Sequence, residues 1–401
     1  MRIIYLHPHF TTDGGAGRMV LETGKRLAAR GHQVDCVCIR ADRAIVGTDS
    51  GITFHEIGGP LSSQIPFWLR FRSGCVRVAD AVSRILDTST GETVLFPQVF
   101  PANWWGSYIV ENLPNLPCVW YCQEPSAFIH SASWINALPW PKNWIAKALN
   151  PKLRQSDLQA CRKFKRVLVN SQYSKEYTRL VYGYSEEACR VVYLGFDPTR
   201  FRALKDEQRE DSIICVAKLT RFKNVDRVID AIRLLRDGGD GETKLHIVGT
   251  GDALPSLKLQ TARLGLEQRV LFHGRLNDSD LVRLLQRSKG LCLASVDEPF
   301  GLVAIEAMAC GTPVIAVDSG GPAEVVGTTA AGILVERPHP ESIAKAMRIL
   351  LGNNSEFETR SSAALARAAD FDWERTVDRL QAEFMGVITC NLDQRVNCCR
   401  D

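Results

Sequence analysis

Short apolar runs alternate with amphipathic stretches along this chain, and the alternation occurs twice. Residues 2–6 form a first apolar run, followed by a glycine-bearing loop and a helical stretch over about 18–30 that Gly31 closes. A second apolar run covers 34–39. Two such runs joined by an amphipathic helix read as a βαβ unit, whose parallel strands need a right-handed helical crossover. The second half repeats the theme. Residues 212–217 predict a strand, Val225, Val228, Ile229, Ile232 and Leu235 mark one face of a helix, and 244–248 predict the next strand. The pattern therefore predicts an α/β chain of two doubly wound halves.

Between the halves, Tyr193-Leu194-Gly195-Phe196-Asp197-Pro198-Thr199-Arg200-Phe201 leads into the charged stretch 205–211. A glycine, a proline and a charge run mark an interdomain linker. Near the end, Trp373, Val377, Leu380 and Phe384 keep a helical seam, and disorder is expected after Cys390. The expected division is 1–203, 204–372, a helix over 373–390, and a tail over 391–401.

Composition changes this picture little and excludes several alternatives. The 401 residues suffice for two cores, and 45% hydrophobic with 23% charged residues is ordinary for a globular protein. A net charge of +4 gives no argument for nucleic acid. No stretch approaches the ~20 consecutive apolar residues of a membrane span. The first strand begins at Arg2 without a signal-peptide pattern, so a cytoplasmic location is expected. The thirteen cysteines lack CxxC spacing, and Cys36, Cys38, Cys215 and Cys292 lie in apolar runs, which predicts buried reduced thiols.

Candidate chemistry concentrates in the run from Glu298 to Val314. Its middle is built of good helix formers, Gly311 supplies a left-handed cap and Pro313 forbids continuation, so a helix is expected over about 301–310. Pro299 and Gly301 leave an entrance loop whose backbone amides have no partner within the helix, and these donors with the helix dipole form an anion site. Glu298 stands at its mouth and Glu306 lies inside the helix. Two carboxylates flanking free amides suit a ligand that carries hydroxyls and phosphates together, such as a nucleotide sugar. Lys218 and Lys223 follow the first strand of the second half, where they overlook the ligand crevice of an open α/β sheet. Two ammonium groups there can neutralise a diphosphate without a divalent metal. In the first half, Asp13-Gly14-Gly15-Ala16-Gly17-Arg18 sits between strand and helix and lets backbone approach a phosphate, although it lacks the G-x-G-x-x-G spacing of a dinucleotide fingerprint.

The Glu298–Val314 run resembles the signature of the family 4 glycosyltransferases, retaining enzymes of the GT-B fold. Glu, seven residues, Glu, the Phe-Gly-Leu of Phe300, Gly301 and Leu302, and the Gly-Thr-Pro-Val stop are all present. The resemblance implies two Rossmann-like domains facing a central cleft, with the acceptor side in the first and the donor side in the second. It implies that Glu298 touches the donor sugar, that the amides of Phe300, Gly301, Leu302 and Val303 hold sugar hydroxyls and diphosphate, and that Glu306 binds the ribose. Lys218 stands where the family usually has Arg, keeping charge but losing the planar fork. The glycine loop is similar to the Gly-Gly-Ala-Glu-Arg loop of family 4 mannosyltransferases, with Gly17 replacing Glu, so that Gly15 and Ala16 would meet the donor phosphate. The flanking Leu-His-Pro-His and the later Arg-Gly-His extend the likeness to the mannosyltransferases of lipid-linked oligosaccharide synthesis.

Smaller signals complete the set. Trp120-Tyr121-Cys122-Gln123-Glu124-Pro125 is similar to a family segment that presents a His to the donor sugar, with Gln123 in the place of that His. Gln can bond a hydroxyl but cannot act as acid or base. Glu124 and His130 are acceptor-side candidates. The segments holding Gly249 and Gly251, and Arg275, resemble the family loops around the nucleobase. Asp278-Ser279-Asp280 has the form of a metal motif, but Asp278 or Ser279 precedes an apolar helix as an N-cap. Trp134, Trp140 and Trp144 alternate with Lys142, Lys147, Lys152 and Arg154, which fits either a helix lying on an anionic membrane or an ordinary packed one. The sequence reading is thus a metal-independent retaining glycosyltransferase, moving a hexose, best mannose from GDP-mannose, to a glycan or lipid-linked acceptor, with no nucleic-acid partner and no cofactor. A nucleotide-sugar epimerase or phosphorylase on the same fold, or a catalytically silent subunit, is the alternative.

Overall fold

The computed structural model describes residues 1–11, 14–61, 64–131, 135–136, 138, 140–204 and 209–398. The chain forms two compact units, Met1–Leu194 with Trp373–Asp401, and Gly195–Asp372. The division falls at Leu194/Gly195, earlier than the expected 203/204, because Phe196 already bridges to Asp372 and its amide donates to the Phe371 carbonyl at 3.4 Å.

In the first unit, β1 (Arg2–Leu6) lies between β2 (Gln33–Cys38) and β4 (Thr93–Pro97), with β3 (Ile52–Glu56) outside β2, all parallel. A second parallel group, β5 (Trp120–Cys122), β6 (Val167–Val169) and β7 (Cys189–Val191), joins this sheet through a Leu95–Cys118 bridge. The first helix covers Gly15–Ala29 and begins three residues before the expected start, so Gly15, Ala16 and Gly17 belong to its first turn. The seam of the last helix is buried as predicted: Trp373, Val377, Leu380 and Phe384 expose 1% or less, and Phe384 meets Phe96 edge to face at 4.8 Å. Arg30 binds Asp378 at 2.6 Å, and Thr376 Oγ1 donates to the Tyr193 carbonyl at 2.8 Å. The helix runs from Trp373 to Cys398, so the backbone stays helical where a tail was expected to begin. Of the eleven cysteines whose side chains are described, ten are buried and all are free thiols.

The second unit is a six-stranded parallel sheet in the order β10-β9-β8-β11-β12-β13. These strands are β8 (Glu210–Val216), β9 (Lys244–Val248), β10 (Val270–Gly274), β11 (Ser288–Leu293), β12 (Val314–Val317) and β13 (Gly332–Val335). The chain starts in the middle, winds one way, then returns to wind the other, which is the doubly wound order with its switch point between β8 and β11. Helix Val225–Asp237 buries the predicted face of Val225, Val228, Ile229, Ile232 and Leu235. No described helix is long and apolar enough to cross a membrane.

Candidate functional site

The loops after β8 and β11 leave the two strands flanking the switch point, and they bring predicted residues together. After β8, Lys218 is exposed, with no side-chain partner among the described residues. A single 3-10 turn, Arg221–Lys223, then carries Lys223 toward β11. Lys223 Nζ lies 3.0 Å from Glu298 Oε2, and both side chains are about one-fifth exposed. Ser295 Oγ donates to the same carboxylate oxygen. Asn224, held left-handed at φ 52°, donates from Nδ2 to the Ala294 carbonyl at 2.9 Å and so ties the end of the lysine turn to the end of β11.

Helix Leu302–Ala309 starts from Gly301, whose φ of 85° is open to glycine at little cost. Its residues from Ala304 to Ala309 are buried, Glu306 included, which is the pattern of a helix apolar on all sides at the centre of a domain. In its first turn the Ala304 amide donates to the Gly301 carbonyl at 2.9 Å, and the N–H groups that open a helix have no i−4 acceptor of their own. Arg209 closes the other end, donating to the Cys310 carbonyl at 2.6 Å and the Ser288 carbonyl at 2.7 Å.

Two glycine pairs hold these loops in place, and only one of them was legible. A Cβ on Gly249 would lie 1.9 Å from the Ala217 carbonyl oxygen, and one on Gly251 would lie 2.1 Å from that of Leu219. The Leu219 amide donates to the Thr250 carbonyl at 2.9 Å. The missing side chains therefore let the loop after β9 pin the backbone that carries Lys218. Gly320 and Gly321 do the same for the Glu298 loop, since a Cβ on Gly321 would meet Phe300 Cα at 2.3 Å and the Gly321 amide donates to the Glu298 carbonyl at 2.7 Å. The sequence reading missed this pair, as it missed Asn224 and Arg209. The turn cluster Asp318-Ser319-Gly320-Gly321-Pro322 after an apolar run was the available signal.

Other predicted residues fall in different places. Arg275 is exposed just after β10. Near it, His246 Nδ1 and His273 Nε2 are 2.9 Å apart, and burial followed by the neighbouring His273 lowers the pKa of His246 to about 4. Asp278 and Ser279 are not the N-cap: Asn277 accepts from the Asp280 amide at 2.9 Å, while Asp278 pairs with Arg200. In the first unit, Gly15 and Ala16 open the helix after β1. Gln123 follows β5 directly, and Glu124 next to it is exposed. His130 is removed from the acceptor-side candidates, because its side chain is sealed and its Nε2 meets Asp157 Oδ2 at 2.7 Å. Asp157 also accepts from Tyr182 at 2.7 Å and Trp104 at 2.5 Å, a buried hub of packing rather than an exposed base. Trp140 and Trp144 stand 83% and 69% exposed, and Trp134 lies outside the described residues.

Residues 13–200 match the family description Glycosyltransferase Family 4, and residues 197–367 match Glycosyl transferases group 1. The chain belongs to the group 1 and family 4 glycosyltransferases. This glycosyltransferase is 26% identical over 331 residues to an uncharacterized glycosyltransferase of Methanocaldococcus jannaschii, covering 79% of this chain and 80% of that one. A D-inositol 3-phosphate glycosyltransferase of Geodermatophilus obscurus is 28% identical over 410 residues, covering 92% and 84%. Among solved structures, Anabaena HepE in complex with UDP and glucose superposes with a TM-score of 0.76 at 20% identity, over 96% of this chain and 99% of that one. WaaG, a glycosyltransferase involved in lipopolysaccharide biosynthesis, gives 0.72 at 15% over 96% and 100%. These likenesses show the fold to be GT-B, two Rossmann-like domains of α/β type.

Proposed function

We propose that this glycosyltransferase moves a hexose from a nucleoside-diphosphate donor to a glycan or lipid-linked acceptor, with retention and without a divalent metal. The observation that carries the reading is the Lys223–Glu298 pair at the switch point, beside the first-turn amides of helix Leu302–Ala309. The bond from the sugar's anomeric carbon to the diphosphate oxygen breaks, and a bond from that carbon to the acceptor oxygen forms on the same face. The acceptor proton leaves to a diphosphate oxygen. Lys218 and Lys223 stabilise the charge that develops on the diphosphate, so their contribution is electrostatic. Glu298 addresses the sugar and orients Lys223, and Glu306 addresses the ribose.

GDP-mannose is the donor favoured by the likeness to mannosyltransferases, and the HepE complexes with UDP and UDP-glucose bring UDP-glucose beside it. The relatives named D-inositol 3-phosphate glycosyltransferase add cyclitol phosphates to the acceptors. Exposed Trp140, Trp144, Ile145 and Leu149, near Lys142, Lys147 and Lys152 on helix Lys142–Cys161, support peripheral contact with an anionic membrane at its cytoplasmic face. The test is release of nucleoside diphosphate from GDP-mannose and UDP-glucose, with and without chelator. Turnover that chelator abolishes and manganese restores contradicts the charge-neutralisation argument.

A further inference from the structure

A cavity of about 560 Å³ opens in the first unit beside the edge strand β3 and helix Phe71–Asp87, within the size range of small-molecule sites. It lies on the sheet face opposite the first helix. A Cβ on Gly24 of that helix would meet Ile52 at 2.7 Å and Val34 at 3.5 Å, which puts these two on the first helix's side. Side chains alternate along a strand, so Asp35 of β2 and His55 of β3 point to the other face, where the cavity is. The cavity reaches Arg2 at the start of β1, away from the strand ends where substrates of open α/β sheets bind.

The floor of the cavity is satisfied and its wall is not. Buried Asp35 takes Arg2 Nε at 2.7 Å on Oδ2 and His55 Nε2 at 2.7 Å on Oδ1. Arg2 Nη1 also donates to the Ile85 carbonyl at 3.0 Å and to Thr88 Oγ1 at 2.9 Å, which fastens the end of the helix to the sheet. Arg77 and Arg84 of the same helix line the cavity too, and neither has an acceptor among the described residues. Arg77 Nε is buried, and Nη2 would lie 2.8 Å from a Cβ on Gly59, so the guanidinium rests against backbone that a glycine leaves open. Asp80 stands three residues after Arg77 and four before Arg84, the spacings at which helical neighbours pair, and it bonds to neither. Such pairs close on other helices: Arg26 with Glu22, Arg233 with Asp237, Arg360 with Glu356 and Arg367 with Asp370 all lie within 3.1 Å. A guanidinium partly stripped of water and left without an anion costs stability that a bound anion would restore.

The chemistry of the wall sets the ligand. Guanidiniums with free forks match phosphate oxygens in bidentate geometry. Arg77 and Arg84 are two helical turns, about 10 Å, apart along the axis, so their long stems can close on one phosphate from either side. Glu56 and Asp80 line the same cavity, exposed and without partners among the described residues, and they repel a bare anion. They accept from hydroxyls, and a neutral His55 with Nε2 turned to Asp35 offers another acceptor at Nδ1. A ligand that carries a phosphate and hydroxyls together uses all of these groups. We infer that this cavity is a second binding site, for a phosphate monoester of a polyol such as a sugar phosphate. The site is made wholly of first-unit residues, whereas the switch-point pair belongs to the second unit, so the inference goes beyond the transferase reading and does not depend on it.

The experiment titrates the full chain by calorimetry, without nucleotide, with glucose 6-phosphate, mannose 1-phosphate, fructose 6-phosphate and inorganic phosphate. At least one sugar phosphate is expected to bind, and more tightly than inorganic phosphate. Arg77→Met and Arg84→Met keep the aliphatic stem and remove the charge, and each should weaken that binding about tenfold or more. Arg84 is exposed and unpaired, so Arg84→Met without ligand should melt as wild type does, while the rise in melting temperature that the ligand gives wild type should be lost. A wild type that binds none of the three sugar phosphates overturns the inference, as does binding that both variants retain, which places the ligand elsewhere. Equal affinity for inorganic phosphate overturns the assignment to a polyol ester. An Arg84→Met variant that melts lower than wild type without ligand shows the arginine to be structural and overturns the site as well.

Discussion

Replacing Glu298 by Gln tests the switch-point pair most directly. Gln keeps the shape and can still accept from Ser295, but it removes the charge 3.0 Å from the Lys223 ammonium. Both side chains are about four-fifths covered, so the pair is screened less than a surface bridge and holds less desolvated charge than a fully buried one. A hydrogen bond to a charged group in this setting contributes about 1.5–3 kcal/mol. For a domain of the second unit's size, that loss lowers the melting temperature of its transition by about 3–12 °C. If the same carboxylate also engages the sugar as the anomeric bond breaks, kcat falls by about ten- to a hundredfold while donor KM moves much less. Lys223→Met and the double variant close a cycle, and the coupling energy between the two sites should lie in the same range of about 1.5–3 kcal/mol. Calorimetry and nucleoside-diphosphate release measure both quantities on the same samples. A coupling below about 0.5 kcal/mol would refute the ion pair as an organising element, and an unchanged kcat with a raised donor KM would refute the placement of Glu298 at the sugar.

Glu306→Gln is expected to act on binding, raising donor KM by about ten- to a hundredfold for the loss of a charged hydrogen bond, and a fall in kcat alone contradicts the ribose assignment. Gly251→Ala should destabilise the second unit by about 1–3 kcal/mol, since its Cβ would overlap the Leu219 carbonyl, and should slow turnover by displacing the Lys218 loop; a variant with wild-type melting and kinetics shows the loop to be compliant. His7 and His246 are lowered to about 3 and about 4, so the unfolded chain binds the extra protons first. Stability should therefore fall as pH drops below about 6.5, by up to ~1.4 kcal/mol per pH unit for each His, until the folded values are passed. Denaturation of His246→Phe across pH 4–7 should show a shallower slope than wild type, and parallel profiles contradict this origin. Co-sedimentation with anionic liposomes should decline with salt and with Trp140→Ala plus Trp144→Ala, and no sedimentation at low salt removes the membrane face.

Much of the fold was legible because its elements are strongly periodic and few residues carry conflicting signals. Arg2–Leu6 and Lys244–Val248 appear where the apolar runs put them, and the last helix buries the four seam residues. Boundaries strayed where glycines permit either state, as at Gly15 to Gly17, and where a bridge between distant residues, Phe196 with Asp372, decides the division. At the site, Glu298 and Lys223 were legible as types in a motif, and their pairing is a fact of three dimensions. His130 misled because a lone His has no sequence mark separating an exposed base from one sealed against Asp157, twenty-seven positions away. Gly320, Gly321, Asn224 and Arg209 escaped because their work is to hold other residues' backbone, which leaves no periodic trace.

The bridge between Phe196 and Asp372 has a consequence for how such chains can be rearranged. The second unit enters and leaves at one point, with its two ends side by side and hydrogen-bonded through Phe196 and Phe371. A module whose ends coincide can be lifted out and its host closed by a few flexible residues, because closing a gap that is already short costs little chain entropy. The host retains both parts of its own core, since the helix from Trp373 returns to bury Phe384 against Phe96. Residues 195–372 can then be exchanged between relatives at two crossover points that lie side by side, with the core of the first unit left intact.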